Sequence, residues 1–108
     1  MAKLDMNGPY KLTNDEVNRQ VTKKSAGNYA LGRSNDEGTF IVNYVGRADN
    51  DVNARIKDHV GEKYTKFKFS YADSAKAAFQ KECHNYHGFG ESKRLDNKVH
   101  PDSKKHCQ

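Results

Sequence analysis

Tryptophan is missing from this chain, and cysteine, proline and methionine occur twice each. Without Trp, the bulky packing falls to Tyr and Phe. Two cysteines, Cys83 and Cys107, do not amount to a disulfide framework, so a reduced, cytoplasmic protein is the expectation. Long apolar runs are also missing. Met1 to Lys11 has none, so neither a signal peptide nor a membrane partner is expected. Hydrophobic residues make up only 34% of the 108 positions and charged residues 31%. That leaves room for one domain with a small core, which buries about two thirds of its unfolded surface and has modest stability. Charge of one sign is not overwhelming either: the net value is +5, with a pI near 9.2. The excess lies on both flanks, residues 1–26 and 76–108, around a balanced middle. A basic excess suits a polyanionic partner through counterion release; ordinary solubility charge is the plain alternative.

Local patterns give the organisation. Thr13-Asn14-Asp15-Glu16 reads as a capping box, opening a polar helix to about Lys24 whose only apolar pair is Val17 and Val21. Residues 1–26 are therefore expected as a polar helical arm that docks weakly. Asn28–Gly32 reads as a short strand, Arg33–Gly38 as a hairpin loop and Thr39–Val45 as a second strand. In that strand, alternation puts Phe40, Val42 and Tyr44 on one face and Ile41, Asn43 and Val45 on the other. Val52, Ile56 and Val60 recur at helical spacing within Asn50–Val60, and Gly61 caps the end. Tyr64–Tyr71 alternates, with Phe67, Phe69 and Tyr71 inward and Lys66, Lys68 and Ser70 outward. Asp73 or Ser74 caps a last helix that runs to about His87 and stops at Gly88. The tail from Phe89 onward reads as irregular. The expected fold is α+β: a β-β-α-β-α core with a small, mostly antiparallel three-stranded sheet flanked by helices.

Several residues carry possible chemistry. Glu82 falls inside the apolar stripe Ala75, Ala78, Phe79, Cys83 and Tyr86. A buried carboxylate needs a metal, a cation or a changed pKa; the alternative is a Glu at the rim, paired to a lysine. Arg55 and His59 lie at i and i+4, flanking the apolar stripe of their helix. An arginine there can grip a phosphate and a histidine can move a proton; an Asp51–Arg55 helix pair is the alternative. Tyr29 and Tyr44 come from two strands that antiparallel pairing brings close. A phenol acts as a base only when activated, and plain aromatic packing is the alternative.

Taken in order, GNYALG, FIVNYVGRADNDVNARIKDH, AKAAFQKECHNYH and LDNKVHP make the chain resemble the GIY-YIG nuclease family over residues 27–101. Asn28 stands where that family usually has an apolar residue, and Val45 replaces an Ile. The resemblance implies a metal-dependent endonuclease that hydrolyses DNA phosphodiesters. It implies catalytic roles for Tyr29, Tyr44, Arg55, His59 and Glu82. Glu82 would be the single protein ligand to Mg²⁺ or Mn²⁺. Gly46 would permit close approach at the strand end, and Arg47 and Asn97 would support the substrate. The other reading is a non-catalytic module of the same fold that binds nucleic acid or protein.

Two further patterns remain. Cys83, His84, His87, His100, His106 and Cys107 invite a zinc reading, although their spacing fits no standard finger. Lys66 and Lys68 project from one face of their strand and, with Lys93, Arg94, Lys98, Lys104 and Lys105, can track a DNA backbone; some of these lysines instead suit a soluble edge strand. No separate DNA-binding domain is visible, so sequence preference is expected to be weak, or set by DNA shape or by a protein partner.

Overall fold

A computed structural model describes residues 6–88. The chain runs β1 (Asn7–Lys11), α1 (Asn14–Gln20), β2 (Gly27–Ser34), β3 (Phe40–Ala48), α2 (Val52–Lys57), β4 (Lys66–Tyr71) and α3 (Ala75–Gly88). The core order β-β-α-β-α matches the sequence pattern. The sheet is wholly antiparallel, but it has four strands in the order β1-β4-β2-β3 instead of three. Asn97 and the lysines and histidines beyond residue 88 lie outside the described residues.

The fourth strand comes from the segment expected to be a helical arm. Tyr10 of β1 lays its ring 5.6 Å from that of Phe67 and 6.2 Å from that of Phe69. Val17 is fully buried and Val21 is 2% exposed. Burying each valine contributes roughly 1.5–3 kcal/mol, so these early residues are part of the core and not a loose arm.

The helix ends follow local chemistry. Thr13 Oγ1 accepts from the Glu16 N–H at 3.1 Å. Glu16 does not reach back to Thr13; its carboxylate takes Arg19 and Gln20 instead. α1 stops at Gln20, short of Lys24, and the Tyr71 hydroxyl accepts from the N–H groups of Thr22 and Lys23 at 3.0 and 3.2 Å. Asp51 caps α2 by accepting from the Ala54 N–H, so it is not the helix partner of Arg55. Ser74 caps α3 by accepting from the Ala77 N–H at 3.0 Å. Gly61, at φ 94, takes the left-handed conformation expected where the α2 segment ends.

Each sheet face has its own cover. Tyr29, Leu31, Phe67 and Phe69 form one core with Val17, Val21, Val52 and Ile56 of α1 and α2. Ala30 and Val45 form the other with Tyr86 of α3, flanked by Phe40 and Val42. The simple alternation expected in β3 fails here. Leu31 pairs with Tyr44 while Gly32 pairs with Val42, so Asn43 is an extra residue in a bulge. A bulge shifts side-chain parity. Tyr44 therefore joins the α2 face, and Phe40 and Val42 join Val45 on the α3 face.

Strand β4 lies between β1 and β2 and is not an edge. Lys66 and Lys68 pair with Gly32 and Ala30, so they sit on the α3 side, opposite Phe67 and Phe69. Cys83 is fully buried and disulfide-bonded, where a reduced core thiol is expected from the sequence. No helix among the described residues is long and apolar enough to cross a membrane.

Candidate active site

Glycine makes the first decision at this site. Tyr29 of β2 lies opposite Gly46 of β3. A Cβ at Gly46 would collide with the ring and hydroxyl of Tyr29, so only glycine lets the phenol lie flat across the neighbouring strand. The role expected for Gly46, close approach at the strand end, is thus taken by a side chain of the protein itself. Tyr29 is 3% exposed.

From that position the Tyr29 hydroxyl reaches His59 Nε2 at 3.1 Å. His59 Nδ1 lies 2.8 Å from Glu62 Oε1. An ionised carboxylate only accepts, so Nδ1 carries the proton and Nε2 is left to accept from the phenol. Glu62, Nδ1, Nε2 and the Tyr29 oxygen form one line of hydrogen bonds. Sequence reasoning missed Glu62; the signal was its i,i+3 spacing from His59 beyond the helical turn. Tyr44 stacks on Tyr29 at 6.3 Å with an interplanar angle of 16°, and its ring is 5.1 Å from that of His59.

Burial is the main reason that the Tyr29 hydroxyl titrates well above the ordinary phenol value; the neighbouring Tyr44 adds to this and Arg55 opposes it. Tyr44 is also raised, again chiefly by burial and then by Glu82. Both phenols therefore stay protonated near neutral pH. Tyr29 thus meets His59 as a protonated hydroxyl and not as a phenolate.

Arg55 is the most loosely held of the predicted group. Its side chain is 62% exposed, and its Asp58 partner is 3.8 Å away. It bonds to neither tyrosine, yet its charge acts on Tyr29, Tyr44 and Glu82 alike.

Glu82 comes from the opposite side of the sheet. Its side chain is only 12% exposed, and Oε1 accepts from Arg47 Nη1 at 2.7 Å. Arg47 pairs across the strands with Asn28, bonds Asp49 through Nε at 3.2 Å and lies 5.0 Å over the Phe79 ring. Burial pushes the Glu82 carboxyl above its ordinary range; the Arg47 hydrogen bond and charge pull it back only partly. The Arg47 guanidinium is held above its usual value, because its bonds to Glu82 and Asp49 outweigh the lowering effect of burial. The carboxylate expected on an apolar stripe is indeed buried, and its partner is a cation of the chain. Arg47, expected on substrate, is engaged internally.

Asn28 explains its own departure from an apolar residue. It is fully buried and its Nδ2 donates to the Ala78 carbonyl at 2.8 Å, tying β2 to α3. Among the described residues no three His, Cys, Asp or Glu side chains gather as a metal set, which leaves no zinc-type cluster there. Glu82, with Asp49 on the same guanidinium, is a different kind of donor set. A hard divalent cation that keeps most of its waters needs only one or two carboxylates, so these are the residues that would hold Mg²⁺ or Mn²⁺, with Arg47 now occupying Glu82.

The structure brings Tyr29, Tyr44 and His59 into contact, and the charges of Arg55 and Glu82 act on both phenols. It keeps Lys66 and Lys68 apart from them, on the α3 side of the sheet. No family model, curated protein or solved structure matches this chain.

Proposed function

We propose that this chain is a metal-dependent endonuclease of the GIY-YIG type that hydrolyses DNA phosphodiesters. The observation that carries the reading is the Tyr29–His59 hydrogen bond at 3.1 Å, backed by Glu62. A buried phenol wired to a carboxylate-oriented imidazole suits proton removal from a water beside a phosphate. The water proton passes to the Tyr29 oxygen as the phenol proton moves to His59 Nε2, and Glu62 stabilises the imidazolium. Tyr44 closes the side of the relay. Arg55, exposed and weakly paired, would neutralise charge on the phosphate. Glu82 would hold Mg²⁺ or Mn²⁺, which when bound supplies positive charge to the phosphate and the leaving oxygen.

One observation favours a second reading. Glu82 is already satisfied by Arg47 at 2.7 Å, as it would be in a module that binds nucleic acid or protein without cutting. Supercoiled-plasmid nicking with Mg²⁺ or Mn²⁺ separates the two. Wild-type nicking that disappears in Glu82→Ala and with EDTA, while Glu82→Ala keeps wild-type DNA affinity, is the expected result. Nicking that survives in Glu82→Ala overturns the site. DNA binding with no cutting of plasmid or branched substrates in either metal selects the non-catalytic module.

A further inference from the structure

Beyond the relay, the same face of the sheet opens into a cleft that the resemblance does not touch. It has a volume of about 210 Å³ and is lined by Arg33, Asn43, Lys63 and Tyr64. This is below the roughly 300 Å³ at which sites take a whole drug-sized ligand, so it suits one unit of a polymer. Its walls come from three separate segments. Arg33 lies on β2, Asn43 is the bulge residue of β3, and Lys63 and Tyr64 precede β4. The last segment is pinned to the sheet, because the Thr65 N–H donates to the Gly32 carbonyl at 2.9 Å.

The cleft borders the candidate active site through one shared ring, Tyr64. The Tyr64 ring lies 6.2 Å from that of Tyr44 and 6.5 Å from that of His59. Lys63 Nζ is 5.9 Å from the centre of the Tyr64 ring. A half-exposed aromatic ring, two cations and an amide in one recess match a ligand with a flat face, an anionic group and a hydrogen-bonding edge.

We propose that this cleft is a subsite for one nucleotide of the substrate strand, next to the phosphodiester at Tyr29. The base stacks on Tyr64, the phosphate lies between Arg33 and Lys63, and Asn43 meets the base edge. The assignment rests on the nuclease reading for its place beside the cleaved bond. Base stacking on an aromatic is tolerant of sequence and contributes about 1–3 kcal/mol per base, so the subsite gives register on the strand and little base preference.

The test is a ¹⁵N amide titration of the full chain, with EDTA, using thymidine 5′-monophosphate, thymidine and inorganic phosphate as probes. Thymidine 5′-monophosphate is expected to shift the amides of Arg33, Asn43, Lys63 and Tyr64 together. Tyr64→Ala should weaken its binding about fivefold or more, and Tyr64→Phe should not. Lys63→Ala, at an exposed position, should weaken the nucleotide and leave thymidine unchanged. Equal affinity for inorganic phosphate and the nucleotide overturns the subsite, as does the absence of shifts at these amides. Nicking by a chain whose cleft takes no nucleotide removes the subsite alone. A cleft that binds the nucleotide in a chain that nicks nothing keeps the subsite and removes the nuclease.

Discussion

The two faces of the sheet meet at Gly46, and they are stabilised in different ways. On the α2 face, Tyr29, His59 and Glu62 form a line of neutral and charged hydrogen-bonding groups in direct contact. On the α3 face, Glu82 and Arg47 form a charged pair with Asp49 and Phe79 around it. Under the proposed nuclease reading, the first needs no rearrangement to pass a proton, while the second must open before Glu82 can hold a metal ion.

That contrast can be broken at either face. Tyr29→Phe removes the relay and should lower plasmid nicking by about 10²-fold or more, with Mn²⁺ affinity unchanged; a variant that nicks at the wild-type rate would end the relay role of the phenol. Gly46→Ala forces the Tyr29 ring off strand β3 and should cost about 1–3 kcal/mol in urea unfolding. If the variant is as stable as wild type, the ring does not lie where the structure puts it. Arg47→Met acts on the other face only. By freeing Glu82 from a charged hydrogen bond, it should tighten Mn²⁺ binding on the order of tenfold at pH 8, measured by electron paramagnetic resonance. Unchanged affinity would mean that the pair does not guard the carboxylate.

The smallest effect sharpens the α2 face. Because burial raises the Tyr29 hydroxyl above its ordinary value of 10.0, the unfolded chain releases that proton first. Its contribution to stability is complete below pH 10.0 and is lost as pH rises above it. Urea midpoints should therefore fall between pH 10 and pH 12, and fall less in Tyr29→Phe. Equal slopes for the two proteins would show that the phenol is not buried in its neutral form.

Much of this was legible in the sequence because it depended on local chemistry. The apolar spacing of Val52 and Ile56 marked α2, Ser74 was one of two candidates to open α3, and alternation in residues 64–71 marked β4, while Asp51 was read as a partner of Arg55 and not as the cap it is. The closeness of Tyr29 and Tyr44 also followed from antiparallel pairing, whereas His59 was grouped with them only through the family resemblance. What stayed hidden depended on partners far away in the chain. Asn7–Lys11 has little alternation and carries Pro9, so only its pairing with β4 makes it a strand. The Asn43 bulge left no local mark, and it reversed the facing of Phe40 and Val42. Glu82 was legible as a carboxylate in an apolar stripe. Its partner Arg47 was not, because residue 47 meets residue 82 only after α3 folds back over β3.

The order β1-β4-β2-β3 also fixes when the molecule can become itself. β4 is the strand that joins β1 to β2, and it is made after β1, β2 and β3. A nascent chain that ends before Lys66 already contains Tyr29, Tyr44, His59 and Glu62, but lacks Phe67 and Phe69 to pack beside Tyr29 and a neighbour for β1. Closing such distant pairings is slow compared with forming local helices. A chain truncated upstream of β4 is therefore expected to hold the residues of the Tyr29–His59–Glu62 line without the strand that packs beside them.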